Sequence, residues 1–152
     1  KTKYTIIRHS NIYGPHDKYD LDKSHVFGAT ITKVLTAKDK VEVWGTGNEI
    51  RDFLYADDLV NFVKHSITKQ KTQYEIYNCG SGVPIKVKDL VKKIIYISGK
   101  KIKINYNKAK PSIPFNMYLN ISKAKKELGW SPKTSIDIGI KKTIDWWYEN
   151  IK

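Results

Sequence analysis

Arginine is nearly absent from this chain. Of 28 basic residues in 152, only Arg8 and Arg51 are arginines, and the rest are lysines. The single cysteine, Cys79, excludes an internal disulfide and fits a reducing compartment. No apolar run approaches the roughly 18 residues that a membrane-spanning helix needs, and no charged segment followed by an apolar one opens the chain as a secretory signal would. No His/Cys spacing suits zinc, so no metal site is expected, and no Ser-His-Asp order suggests a hydrolase. The expectation is a cytoplasmic protein with no membrane partner. Methionine is also scarce, and position 1 is a lysine with a strand-like segment almost directly behind it. That start predicts a truncated chain.

What is present is charge of one sign, a formal net charge of +13 at neutral pH. Excess basic charge often marks nucleic-acid binding through phosphate neutralisation. Here the lysines fall in pairs on the polar faces of expected helices ("VKKII", "KAKKEL", "IKKTI"), with no aromatics interleaved at stacking distance. A solvated surface is the expectation and nucleic acid is not a partner. The same charge attracts small anions such as a nucleotide diphosphate.

Hydrophobic periodicity divides the chain into alternating elements. "YTIIRH" (4–9) reads as a buried strand, "SHVFGATITKVLTA" (24–37) as a helix capped by Ser24, and "VEVW" (41–44) as a strand with Val41 and Val43 on one face. "GTGNEIR" (45–51) reads as a turn and "DFLYA" (52–56) as a strand. "DDLVNFVKHSI" (57–67) is helical, with Leu59, Phe62, Val63 and Ile67 on its apolar side. "EIYNCGSG" (75–82) is a strand ending in a glycine turn, and "VKDLVKKIIYIS" (87–98) a helix with Lys86 where a Ser or Thr would usually cap. "KIKINY" (101–106) alternates like a half-buried strand. "SKAKKELGW" (122–130) is a short helix stopped by Gly129, and "SIDIGIKKTIDWWYEN" (135–150) a closing helix capped by Ser135. Strand and helix alternate throughout, which predicts an α/β fold with parallel pairing. Ligands of such sheets bind beyond the carboxyl ends of strands, where "RHSNIYGPHD" (8–17) places an unusual density of hydrogen-bonding side chains.

In order, "NIYGPHD", "SHVFGATITK", "VWGTGNEIRDFLYADDL", "YNCGSG" and "SKAKKELGW-P" resemble the carboxyl-terminal half of the extended short-chain dehydrogenase/reductase family of nucleotide-sugar epimerases, dehydratases and reductases. Within that family they are most similar to the GDP-L-fucose synthase branch. The resemblance spans essentially all 152 residues as one domain. It implies the last strands of a Rossmann-like parallel sheet plus a small α/β substrate-binding domain, with the dinucleotide-binding half missing. By the same resemblance the parent enzyme uses NAD(P), and the isolated chain is expected to bind none. The family's glycine-rich fingerprint and its Ser with Tyr-x-x-x-Lys are expected to have no counterpart, because the matching part begins after that lysine.

The resemblance also assigns roles, each with a plainer alternative. His25 matches the position of a proton donor or acceptor in epimerisation next to a keto group, chemistry an imidazole suits at neutral pH; a surface residue at a helix start is the alternative. Asn11 is placed against substrate or the nicotinamide end of the cofactor, with Ile12 beside it, or else it holds the "IYGP" turn. Lys33 matches a basic substrate contact or is a solvated lysine. Trp44 offers a flat face to a nucleobase or packs in the core, and Gly45 and Gly47 permit a tight turn against the substrate. Arg51 carries the strongest argument, since a guanidinium can fork two charge-assisted bonds onto a pyrophosphate. His16, Asp17, Asp57 and Asp58 read as structural, the last two as helix cap and dipole complement. Cys79 reads as a small buried residue, and Trp130, Trp146 and Trp147 as packing for the last helices. Gly28 replaces the branch's proline, and Asn116 and Met117 stand where it carries Arg-Lys. The expected partner is a nucleotide sugar, GDP-linked by preference. The strand at 4–8, deprived of its earlier neighbour, predicts an exposed edge and a homo-oligomer.

Overall fold

The computed structural model describes residues 2–112 and 115–151. Strand β1 (Tyr4–His9) pairs in parallel with β6 (Tyr74–Cys79), in a register that sets Tyr4 opposite Tyr74 and His9 opposite Cys79. Two further parallel pairs join β2 (Asn11–Tyr13) to β5 (Phe53–Tyr55) and β3 (Lys40–Trp44) to β8 (Lys103–Asn107). The short strands β4 (Ile50–Arg51) and β7 (Ile85–Lys86) are antiparallel. Helices α1 (Val26–Thr36), α2 (Ala56–Lys69), α3 (Val87–Ser98), α4 (Ser122–Leu128) and α5 (Ile136–Asn150) alternate with them. The α/β expectation holds, with parallel pairing dominant.

Two hydrophobic cores hold these elements. The larger packs α1, α3 and α5 against β3, β5 and β2, with Ile31, Val34, Leu90, Ile94 and Ile140 fully buried. Val41 and Val43 point into it from one face of β3. The smaller gathers Leu54, Phe62, Tyr77, Cys79, Leu128 and Trp130 around α2, α4 and β6. Trp130 meets Phe62 edge to face with centroids 4.9 Å apart, a geometry that adds to plain area burial.

Local signals hold where a residue answers to its own backbone. Ser135 accepts from the Ile138 N–H at the start of α5, Gly129 ends α4 in the left-handed region at φ 64°, and Lys86 precedes α3 without a side-chain cap. Others are corrected. Ser24 does not cap α1, because its backbone N–H closes the preceding turn onto the Asp20 carbonyl while His25 takes the cap position and accepts the Ala29 N–H. Neither Asp57 nor Asp58 caps α2. Both lie in its first turn, where they complement the dipole, and the Asp58 carboxylate accepts the Lys133 and Thr134 N–H groups at 2.9 and 3.0 Å. Arg51 belongs to strand β4 rather than a turn, because Ile50 and Arg51 pair with Lys86 and Ile85.

Two burial readings are decided by packing: at β1 the exposed edge expected for residues 4–8 is present in place of a fully buried strand, and at α2 the expectation changes. β1 is only half covered: Ile7 packs on the smaller core, whereas Tyr4 and Ile6 on the opposite face stay 58% and 47% exposed, as does Tyr74 beside them. Among the described residues β1 has β6 as its one strand partner. On α2 the covered line runs through Asp58, Phe62 and Ser66, so Val63 and Ile67 turn outward. The sides of α2 facing β2, β5 and α4 decide which apolar residues are buried, and the 3.6-residue period alone does not.

Candidate functional site

A cavity of about 570 Å³ opens between α1, the end of β3, β4 and the turn after β8. Its walls are apolar at Val26, Val43 and Val91, and its charged groups are Asp22, Lys33, Glu42, Glu49, Arg51 and Lys110, with the Trp44 indole among them. Polar groups converging on a partly apolar lining suit a small-molecule site.

The local structure explains how each group arrives. Lys33 lies on α1 one turn beyond Thr30, and both line the cavity. Strand alternation sends Val41 and Val43 into the core and puts Glu42 beside Trp44, whose indole N–H donates to Glu42 Oε1 at 3.0 Å. Trp44 is therefore not a core residue: it is 46% exposed, with Lys33 Nζ 5.1 Å and Lys110 Nζ 5.5 Å from its ring centroid. The parallel register that sets Trp44 against Asn107 brings in the turn carrying Lys110, and Asn107 Nδ2 donates to Glu42 Oε2 at 3.1 Å. That hydrogen bond above all, aided by Trp44 and the two lysines against some desolvation, holds the Glu42 carboxyl below the usual carboxylate range. Gly45 follows Trp44 at φ 73°, and a Cβ there would stand 2.6 Å from Ser112 Oγ, so only glycine lets Ser112 close over the turn. Arg51 Nη1 donates to the carbonyls of Ile50, at 2.9 Å, and of Phe115. Those bonds fix the plane of the guanidinium at the cavity wall.

Lys33, Trp44 and Arg51 thus share one cavity, with Gly45 adjoining. His25 does not line it, although both its neighbours Ser24 and Val26 do; its side chain is exposed at the start of α1. Asn11 and Ile12 lie elsewhere. Asn11 Nδ2 and its backbone N–H both donate to the Asp52 carbonyl, at 2.9 and 3.1 Å, and Ile12 packs against the smaller core. His16 adopts φ 66° with its ring 4.7 Å from that of Trp146, and Asp17 accepts the Lys18 N–H at 2.7 Å. Among the described residues no group of acids, histidines and cysteine forms a metal cluster, and no helix is long and apolar enough to cross a membrane.

Three residues escaped the reading of the sequence. Period-two alternation could have placed Glu42 next to Trp44. Lys110 carries no local signal, since only the β3–β8 pairing brings it near. Asp52, an acid preceding the apolar run Phe53–Tyr55, is fully buried, and its carboxylate accepts the Ser81 N–H and hydroxyl, the Gly82 N–H and the Leu119 N–H. The Ser81 and Gly82 donors of the "CGSG" turn are thereby used inside the protein. The bare Tyr-x-x-x-Lys spacing does occur, for instance at Tyr19/Lys23 and Tyr106/Lys110. Tyr19 is buried with its hydroxyl on the Gly14 carbonyl and Tyr106 lies on strand β8, so neither stands on a helix with its lysine.

Comparison with known proteins matches residues 1–80 to the NAD dependent epimerase/dehydratase family. The GDP-L-fucose synthase of Sinorhizobium fredii is 35% identical over 150 residues, covering 93% of this chain and 46% of that protein. GDP-L-colitose synthase of Yersinia pseudotuberculosis is 35% identical over 140 residues, covering 90% and 45%. Among solved structures, UDP-glucose 4-epimerase of Thermotoga maritima with UDP-glucose superposes with a TM-score of 0.84 at 28% identity, over 99% of this chain and 47% of that one. UDP-glucuronic acid 4-epimerase of Bacillus cereus, in complex with UDP-glucuronic acid and NAD, gives 0.81 at 27%, over 95% and 45%. The chain spans a little under half the length of these relatives.

Proposed function

This chain belongs to the NAD dependent epimerase/dehydratase family, and on that premise we propose that its 152 residues form the nucleotide-sugar-binding portion of an NAD(P)-dependent NDP-sugar epimerase/reductase. The observation that carries the reading is the meeting of Trp44, Lys33 and Arg51 in one cavity of nucleotide size. An aromatic face for a base beside a forked cation and an ammonium for a diphosphate is the donor set that such a ligand needs. Similarity to the GDP-L-fucose and GDP-L-colitose synthases favours a GDP-linked sugar.

In this reading Arg51 and Lys33 neutralise the diphosphate, Trp44 carries the base, and Gly45 lets the turn close on the ligand. His25, exposed beside the cavity wall, exchanges a proton at a carbon next to the sugar's keto group. Asn11 and Ile12 face the cofactor side. One Asn11 amide N–H is committed to Asp52, which leaves the other N–H and the amide oxygen for a ligand. NAD(P), when bound in the complete enzyme, supplies the hydride chemistry. The isolated chain holds too little of the cofactor site for turnover: no complete G-x-G-x-x-G occurs in its sequence.

A second reading, a self-associating module without turnover, is favoured by the bare face of Tyr4, Ile6 and Tyr74 beside an edge of β1 that pairs with no strand among the described residues. One set of measurements tests both. Calorimetry is expected to show a GDP-sugar binding stoichiometrically and NADPH not binding, with light scattering reporting a dimer across a dilution series. Absence of nucleotide-sugar binding overturns the first reading, tight NADPH binding overturns the lack of a cofactor site, and a monomer at high concentration overturns the dimer.

A further inference from the structure

We propose that Glu42 determines which nucleobase the cavity accepts, and that it selects guanine. The inference rests on the nucleotide-sugar reading and adds to it the residue that discriminates the base.

Glu42 sits where a base would need a partner. Its carboxylate lines the cavity 3.0 Å from the indole nitrogen of Trp44, which is 46% exposed, so a base packed against Trp44 comes within reach of this carboxylate. Both oxygens are anchored, Oε1 by Trp44 Nε1 and Oε2 by Asn107 Nδ2. Each retains acceptor capacity, because an ionised carboxylate offers about four lone-pair sites. The anchoring fixes the orientation before a ligand arrives and lowers the ordering cost of binding. The Lys33 and Lys110 ammonium groups lie over the Trp44 ring, keep Glu42 in a cationic setting and would yield the ring face to an incoming base.

A fixed pair of acceptors calls for two adjacent donors. Guanine presents them on its Watson–Crick edge, as the N1–H and the N2 amino group. Uracil and thymine place a single N3–H between two carbonyl acceptors, which would face the carboxylate's lone pairs. Adenine and cytosine each set one amino donor next to a bare ring nitrogen. Of the common bases only guanine meets both oxygens without a repulsive contact, and mismatched acceptors discriminate more strongly than missing contacts do.

The test is calorimetric titration of the full chain with GDP, IDP and UDP, repeated with Glu42→Gln. IDP lacks the N2 amino group and so removes one donor. Wild type is expected to bind GDP about tenfold tighter than IDP, the loss of one charge-assisted hydrogen bond, and tighter still than UDP. Glu42→Gln is expected to weaken GDP by at least about tenfold and to bind UDP as tightly as wild type or tighter, since the amide removes the repulsion on the uracil carbonyls. Equal affinities for GDP and UDP in wild type, or an unaltered GDP-to-UDP ratio in the variant, overturns the proposal and leaves the nucleotide reading standing. Binding of none of the three nucleotides overturns both. Should the variant lose its native circular dichroism, the wild-type GDP-to-IDP ratio decides alone.

Discussion

Asp52 and Leu119 are 67 positions apart in sequence, and the Asp52 carboxylate accepts the Leu119 backbone N–H at 3.1 Å. The same carboxylate takes the Ser81 N–H at 2.8 Å and hydroxyl at 2.6 Å. One buried acid therefore ties the turn after β6 and the segment ahead of α4 to the residue that follows Arg51. A Cβ on Gly80 would stand 2.5 Å from Asp52 Oδ2, so the turn approaches the acid as closely as glycine allows.

Asp52→Asn exchanges one acceptor oxygen for an amino group aimed at N–H donors. With Oδ1 kept on Ser81, the Gly82 and Leu119 N–H groups lose their partner. Each stranded buried donor costs about 1–3 kcal/mol. Urea denaturation is expected to show a midpoint shifted down with an unchanged slope; a midpoint equal to wild type would contradict the clamp.

Arg51→Ala is expected to weaken nucleotide-sugar binding more than Arg51→Lys, which keeps charge but loses the fork. The cost of losing a charged hydrogen bond is on the order of 1.5–3 kcal/mol. Since Arg51 also donates to the Ile50 and Phe115 carbonyls, Arg51→Ala frees the segment at Phe115 as well, and urea denaturation of each variant separates that loosening from the lost ligand contact. Equal affinity for all three proteins would remove Arg51 from the site.

Gly28→Ala should destabilise the fold although glycine inside a helix is normally worth replacing. The added Cβ would stand 2.5 Å from the Lys18 carbonyl oxygen, so α1 or the loop at residues 17–18 must shift. Overpacking of this kind costs about 1–3 kcal/mol against a helix-propensity gain of about 1. A thermal midpoint above wild type would show that the loop yields freely.

Cys79 is buried, and desolvation pushes its thiol up from near 9 to about 12. At neutral pH a thiol reagent should label the native protein only as fast as the chain opens, and the denatured protein at once. Because the folded value is raised, its contribution to stability is complete below pH 9 and is lost as pH rises toward 12. Cys79→Ala should flatten the decline in urea midpoint above pH 9. An equally steep decline in the variant would assign the alkaline loss to other groups, the hydroxyls of Tyr13, Tyr19 and Tyr77 among them, which burial chiefly lifts above their usual range.

The sequence by itself determined what a residue's near neighbours can determine. Alternation placed Val41 and Val43 inward on β3, Gly129 ended α4, Ser135 opened α5, and ordered motifs from Asn11 to Trp130 carried the family. These signals act over one or two helical turns or strand repeats, so they survive without knowledge of the rest of the chain. Tertiary structure alone decided which side of an element is covered and which distant side chains meet. Ile67 was apolar on the expected face of α2, yet it is 74% exposed, because the packing of β2, β5 and α4 chose the line of Phe62 instead. Lys110 reached Trp44 only through the parallel register of β3 with β8, and Asp52 gained its donors from turns 29 and 67 positions away. Such contacts depend on pairing between segments whose own sequences do not encode each other's position. The cavity that gathers Lys33, Trp44, Arg51 and Lys110 is built almost wholly from them and becomes visible only in the folded chain.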